Sequence, residues 1–240
     1  MLPVLTILLV YNVLGIPAAL IGLPWTVISG DIRLLYRWAM WITHVGLKAA
    51  GIGIEVTWQA QLDPQKRYIF LSNHVSNLDP PVLLPLIPGR ASVFIKRSLM
   101  KLPVIGYAMK LGDYIPVDRD GRLESAKDSV TQAVRVLKSG LHIMSFVEGT
   151  RSRDGRLQPF KKGPFYLAKE SGALVVPISI WGTESMMKKG SLRIYPETAH
   201  VTFHAPLDPK DYATREGLMA AVRTAVVSAL PEWMWADSTT

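Results

Sequence analysis

A histidine and an aspartate five positions apart, His74 and Asp79, lie in the stretch Asn73-His-Val-Ser-Asn-Leu-Asp79-Pro80-Pro81, directly after the apolar run Tyr68-Ile-Phe-Leu-Ser72. A carboxylate bonded to one imidazole nitrogen fixes the ring's tautomer and leaves the other nitrogen free to take a proton from a hydroxyl, which is general-base chemistry. On a continuous helix the two side chains would stand about 140° apart. They meet only if the chain bends at Ser76-Asn77. Asp79 ahead of Pro80 also reads as a helix start whose carboxylate serves as a cap, with His74 merely exposed. The pair alone leaves both readings open.

A second cluster, Glu148-Gly149-Thr150-Arg151, follows the apolar run Leu141 to Val147. Arg151 offers a planar fork of donors that matches a phosphate, and Gly149 lets the backbone approach it closely. A local Glu148–Arg151 ion pair would use the same residues. Lys96 and Arg119 are further cations upstream, and Arg153 to Gly163 forms a basic stretch that reads either as a loop over the site or as a solvated turn. Ser72 and Ser76 flank His74, but no Gly-x-Ser-x-Gly elbow accompanies them. The chain has no cysteine, which excludes disulfides, zinc–thiolate sites and thiol nucleophiles. His200 and His204 are four apart in a β-patterned run rather than on a helix, so they read as a polar strand face and not as metal ligands.

The elements that must position these groups read as one α/β domain. Short β-rich runs at Ile54–Trp58, Tyr68–Ser72, Leu141–Val147, Leu174–Ile180, Leu192–Tyr195 and His200–Phe203 alternate with helical stretches. Leu123, Ala126, Val130, Ala133, Val134 and Leu137 line one face of a helix over Arg122–Lys138, and a closing helix runs from Thr214 to Leu230. The expected architecture is a central mixed, largely parallel sheet flanked by helices, over residues 51–240.

The first thirty residues carry no charged side chain and are rich in Leu, Val and Ile. That is long enough for a span, which needs about 20 apolar residues. Pro3, Gly15, Pro17, Gly22 and Pro24 argue against one straight helix and for a broken helix or a hairpin of two half-helices. Arg33 and Arg37 then stand among Trp25, Tyr36, Trp38 and Trp41, the mixture found at a headgroup boundary. Residues 1–50 therefore read as a membrane anchor followed by an interfacial helix. A cleaved signal peptide would want positive charge ahead of the apolar run, and a hairpin buried in a soluble core would leave thirty uncharged residues to cover. The positive residues that follow favour a cytoplasmic remainder.

The 240 residues carry 27 Lys+Arg against 19 Asp+Glu, a formal charge of +8. Between Lys96 and Lys162 there are fourteen Lys/Arg against seven Asp/Glu, so most of the excess sits in the middle of the chain. A phosphate-bearing partner fits that field. Nucleic acid does not, because no helix there carries a dense basic stripe and no set of stacking aromatics accompanies it.

Four ordered blocks between Tyr68 and Gly182 resemble the glycerolipid acyltransferases: His74-x4-Asp79; Lys96-x2-Leu99-x6-Gly106-x12-Arg119 with Gly112-Asp-Tyr-Ile-Pro-Val-Asp-Arg119; Phe146-Val-Glu148-Gly149-Thr150-Arg151; and Val175-Val176-Pro177-Ile178. The uncharged amino-terminal segment is similar to that family's membrane motif. The resemblance implies His74 as general base and Asp79 as the carboxylate that orients it. It implies Lys96, Arg119, Glu148, Gly149, Thr150 and Arg151 at the phosphate-bearing acceptor, and Val176, Pro177 and Ile178 in placing the acyl chain or its donor. The implied reaction moves a fatty acyl group from acyl-CoA or acyl carrier protein to the free hydroxyl of lysophosphatidic acid at a membrane lipid surface. It runs by direct transfer, without cofactor, metal or covalent enzyme intermediate. Another acceptor, such as glycerol-3-phosphate, a different lysophospholipid or a lyso-amino lipid, and a non-catalytic basic lipid- or nucleic-acid-binding protein are the competing expectations.

Overall fold

The computed structural model of the chain describes residues 2–101, 105–117, 123–187 and 190–235. Arg119 and Arg122 lie outside the described residues. Seven strands form one sheet: β1 (Gly53–Trp58), β2 (Tyr68–Ser72), β3 (Ala91–Lys96), β4 (Ile115–Val117), β5 (His142–Phe146), β6 (Leu174–Trp181) and β7 (Thr198–Phe203). Their order is β1-β7-β6-β2-β5-β3-β4. The five strands from β6 to β4 are mutually parallel, whereas β7 runs antiparallel to β6 and carries β1 parallel to itself. The mixed, largely parallel sheet is as expected. Two strands escape the sequence reading, β3 and the three-residue β4.

Each central strand is buried on both sides, as parallel strands covered by helices must be. Tyr68 and Phe70 of β2 face one apolar cluster with Met144, Val176 and Ile178, while Ile69 and Leu71 face another with Ile143 and Val175. The first cluster is roofed by α3 (Arg33–Ala49) and α4 (Asp79–Leu83), the second by α6 (Leu123–Lys138), α7 (Gly163–Ser171) and α9 (Arg215–Ser228). Thr214 caps α9 by accepting a hydrogen bond from Gly217 N. The short helices α5 (Ile105–Leu111) and α8 (Thr183–Met186) follow β3 and β6.

Leu2–Ser29 is one helical run of 28 residues, long and apolar enough by length and composition to cross a membrane. This corrects the expected break into half-helices. The run consists of α1 (Leu2–Val10), a π turn over Tyr11–Gly15, and α2 (Ile16–Ser29). The π turn stands immediately before Pro17, whose ring would otherwise strike the carbonyl four residues back. Thr6, Asn12, Thr26 and Ser29 each donate a side-chain hydrogen bond to a carbonyl four residues earlier, so polar groups in the apolar run find partners within it. The chain reverses only at Gly30–Ile32, and α3 returns along the helix. Gly22 lies against Leu35 and Gly46 against Tyr11, contacts so close that an added Cβ would stand 2.8 and 2.9 Å from those side chains.

Two other expectations change. Leu192–Tyr195 is not a strand but part of the loop leading into β7, anchored by the buried Ile194. His204 does not share a polar face with His200. It lies past the end of β7, buried, with Nε2 2.8 Å from the Ser179 hydroxyl, while His200 pairs with Glu55 and stacks on Trp181.

Gly182 links β6 to α8 with φ +90°, and a Cβ there would stand 2.4 Å from the Thr198 carbonyl oxygen. Backbone in that region with a clash against backbone costs about 1–3 kcal/mol or more. Gly182→Ala is therefore expected to lower the denaturation midpoint in chemical unfolding of the detergent-solubilised chain. An unchanged midpoint would mean that the loop relaxes freely.

Candidate active site

The carboxyl ends of β2, β5 and β6 converge on one edge of the sheet, the place where open α/β folds hold ligands. β2 delivers Asn73 and His74. Asn73 is fully buried and extends the ladder by side chain: its amide donates to Ile180 O at 2.8 Å, and its carbonyl oxygen accepts from Ile180 N at 2.9 Å. With position 73 pinned to β6, the chain can turn sharply at once.

That turn brings His74 and Asp79 together. Asp79 Oδ2 lies 2.8 Å from His74 Nδ1 and accepts from Val75 N and Ser76 N, each at 2.8 Å. Asp79 Oδ1 accepts from the Thr183 hydroxyl at 2.5 Å. A carboxylate with no exposed surface needs such a set of donors. An ionised Asp79 can only accept, so Nδ1 carries a proton, and in the neutral ring the lone pair is then on Nε2. The imidazole stacks on Phe146 with ring centroids 3.8 Å apart and planes at 17°. Its side chain is 15% exposed, against none for Asp79.

Glu148 braces this turn from β5. It is buried, and its two oxygens accept from His74 N at 2.7 Å and Gln158 N at 2.9 Å. Burial, helped by the Asp79 charge, pushes the Glu148 carboxyl up to about 7, against the downward pull of the two backbone N–H groups and Arg223. Ser152 N donates to His74 O at 2.9 Å, so the loop after Glu148 is tied to the histidine from both sides. Gly149 has φ +69°, and a Cβ there would meet Lys161 Cγ at 3.2 Å, so the stem of an exposed lysine lies across the glycine.

The residues singled out by sequence are thus unequally gathered. His74, Asp79, Glu148, Gly149, Thr150 and Arg151 form one neighbourhood, with Thr150 exposed and Arg151 half-buried. Lys96 is exposed at the carboxyl end of β3, two strands from β2. Arg119 falls outside the described residues. Val176, Pro177 and Ile178 are buried in the middle of β6, and their side chains belong to the interior of the sheet. Among the described residues, no group of three or more His, Asp or Glu side chains could hold a metal ion. Sequence reasoning missed Asn73, Phe146, Thr183 and the individual part of Lys161. Asn73 and Phe146 sit inside the motifs and could have been weighed; Thr183 carries no local signal.

Comparison with known proteins bears on the family and the fold. The acyltransferase family model matches residues 53–181. A 1-acyl-sn-glycerol-3-phosphate acyltransferase of Limnanthes douglasii is 35% identical over 193 residues, 79% of this chain and 66% of the relative. A chloroplastic enzyme of that name from Brassica napus is 41% identical over 142 residues, 58% of this chain and 40% of the relative. One from Borreliella burgdorferi is 26% identical over 188 residues, 78% of this chain and 75% of the relative. The chain therefore spans only part of the length of these relatives. The crystal structure of the 1-acyl-sn-glycerophosphate (LPA) acyltransferase PlsC from Thermotoga maritima superposes with a TM-score of 0.80 over 96% of this chain and 97% of that one, at 23% identity, a likeness of fold.

The Glu148 carboxyl also dictates a pH dependence. Its folded-state value of about 7 lies above the ordinary 4.5, so the folded chain holds this proton more tightly than the unfolded one. Its contribution to stability is full below pH 4.5 and is lost as pH rises towards 7. Glu148→Gln should be destabilised by a lost acceptor, yet the wild-type-minus-variant stability should decline across that window in urea titrations. A flat difference would remove the buried acid from the account.

Proposed function

The chain belongs to the acyltransferase family, and from that premise we propose that it transfers a fatty acyl group from a thioester donor to the free hydroxyl of lysophosphatidic acid, giving phosphatidic acid. The observation that carries this reading is the His74–Asp79 pair. Nδ1–H is held by a buried carboxylate, which leaves Nε2 as the base of a ring whose side chain is 15% exposed. Nε2 takes the proton from the acceptor hydroxyl as its oxygen attacks the thioester carbonyl carbon. The C–S bond then breaks, the thiolate leaves, and the imidazolium returns the proton to it. Asp79 stabilises the imidazolium meanwhile. General-base assistance of this kind is worth about 10² to 10⁴ in rate.

Direct transfer is favoured over an acyl-serine route by where the nearby hydroxyls point. Ser72 is buried and its hydroxyl donates to Asn73 O at 2.9 Å. The Ser76 hydroxyl donates to Met187 O at 3.1 Å and accepts from Leu78 N. Neither is directed to the free nitrogen of His74.

In this reading Arg151 and Thr150, with Gly149 opening the backbone, take the phosphate of the acceptor, and Lys161 adds charge beside Gly149. Lys96 and Arg119 supply cations from the β3 side. Glu148 acts as a positioning residue for the turn that holds His74. Val176, Pro177 and Ile178 act on acyl placement through the strand that supports the site. The donor is acyl-CoA or acyl carrier protein. Residues 1–50 serve as membrane anchor and interfacial helix, and residues 51–240 as the catalytic domain on the cytoplasmic face.

His74→Ala should retain the circular dichroism spectrum and vesicle binding of the parent while kcat falls by about 10² to 10⁴; turnover at the parental rate would remove His74 from the chemistry. Arg151→Ala is expected to raise KM for lysophosphatidic acid with little change in kcat. The same rise with monoacylglycerol, which lacks the phosphate, would show that the phosphate seats elsewhere.

A further inference from the structure

The described part of the loop between α8 and β7, Met187 and residues 190–197, stands at the His74 end of the sheet, because β6 runs towards that end and β7 runs back from it. It is built into the site's surroundings. Ser76 Oγ donates to Met187 O, Tyr195 N donates to Met186 O at 2.9 Å, and Ile194 is buried in the same apolar cluster as Leu47 and Met186. Yet two of its large apolar side chains point outwards. Leu192 is 80% exposed and Tyr195 54% exposed, with the exposed Arg193 between them.

The N-terminal helix begins at the same end. It runs antiparallel to α3, with Tyr11 against Gly46 and Gly22 against Leu35. Its first residues therefore lie beside the end of α3, where β1 starts in register with the start of β7. Val4 and Ile7 pack against the cluster that holds Ile194 and Met187, while Leu2, Leu5 and Leu9 face outwards. The start of that helix and the loop thus present exposed apolar side chains at the same end of the sheet. Leaving Leu192 and Tyr195 in water forgoes the burial of their apolar surface, and a flanking arginine suits headgroup phosphates.

We propose that the Gly190–Tyr195 loop is a second membrane contact, in which Leu192 and Tyr195 enter the headgroup–acyl boundary of an anionic phospholipid leaflet and Arg193 pairs with lipid phosphates. The partner is a lipid surface, favoured over a protein because the loop shares its end of the sheet with the start of a helix long and apolar enough to cross a bilayer. The contact would press the His74 end of the sheet onto the leaflet, so that an amphiphilic acceptor reaches the base without leaving the membrane. Only this last consequence rests on the proposed function.

The absence of cysteine from the chain makes a single-label depth measurement direct. Leu192→Cys carrying an environment-sensitive NBD fluorophore is bound to phosphatidylglycerol/phosphatidylethanolamine vesicles with spin-labelled lipid. Leu20→Cys serves as the inserted reference, and Lys210→Cys, at the opposite end of the sheet, as the aqueous one. The label at 192 should shift to the blue and be quenched several-fold more than that at 210, most strongly by lipid spin-labelled near the headgroup. A label at 192 that behaves like that at 210 while the Leu20 label is quenched overturns the proposal, as does burial of the 192 label only on addition of acyl carrier protein. None of these readouts needs turnover, so they stand or fall apart from the acyltransferase reading. In addition, Leu192→Asp should lose several-fold in rate on acceptor presented in vesicles and nothing on acceptor dispersed in detergent. Equal losses in both would also overturn the membrane contact.

Discussion

The arrangement depends on one buried charge. Asp79 is removed from solvent, and an ionised carboxylate in that position is tolerable only when its oxygens are saturated with donors. Four reach it: an imidazole N–H, two consecutive backbone N–H groups and a hydroxyl from α8. Satisfying the charge forces the backbone of residues 74–76 to curl around the carboxylate. The curl places His74 where a helix would not. The orientation of the ring is therefore a by-product of charge burial, and Phe146 stacked against it removes the remaining rotational freedom.

Much of this was legible in the chain. The bend at Ser76-Asn77 was needed for His74 and Asp79 to meet, and it occurs, while Asp79 still stands at the start of α4 with Pro80 behind it. The carboxylate turns back to residues 74–76 and makes no cap hydrogen bond to α4, so the helix-cap reading, with His74 merely exposed, is overturned. Thr183 and Asn73 were invisible as site residues because their partners lie 104 and 107 positions away, and nothing in local spacing encodes that distance. β4 was hidden by Pro116, which argues against a strand, yet β4 is the sheet's outer edge, where a missing N–H costs nothing. Leu192–Tyr195 failed for another reason: its pattern suits a strand, but it lies in the loop leading into β7, whose two edges are taken by β6 and β1. Pattern reports what a segment could do, and topology decides whether a partner exists.

The same distinction explains the amino-terminal helix. Proline and glycine mark places where an isolated helix would break. Here the π turn makes room for Pro17, and the glycines seat Leu35 and Tyr11 of the paired helix segments, so these residues serve packing rather than interruption. Helices on both sides of the sheet, and the amino-terminal run with them, pack on cores that reach to the strands carrying the site.

Glu148 then decides how the two halves of the site relate. One oxygen holds the backbone of His74, the other holds Gln158, and Ser152 returns a bond to His74 O. The turn that bears the base and the loop that bears Gly149, Thr150, Arg151 and Lys161 are thereby locked together through main-chain atoms. In the proposed reaction the distance between an acceptor's phosphate and its reacting hydroxyl would be read against this fixed separation, with flexible cations trimming the fit. A surface glutamate paired with Arg151 could not impose such a register, because exposed ion pairs are worth at most about 1 kcal/mol and adjust freely. Burial raises the energetic cost of the Glu148 charge, and the same burial makes its two hydrogen bonds rigid enough to hold base and clamp in register.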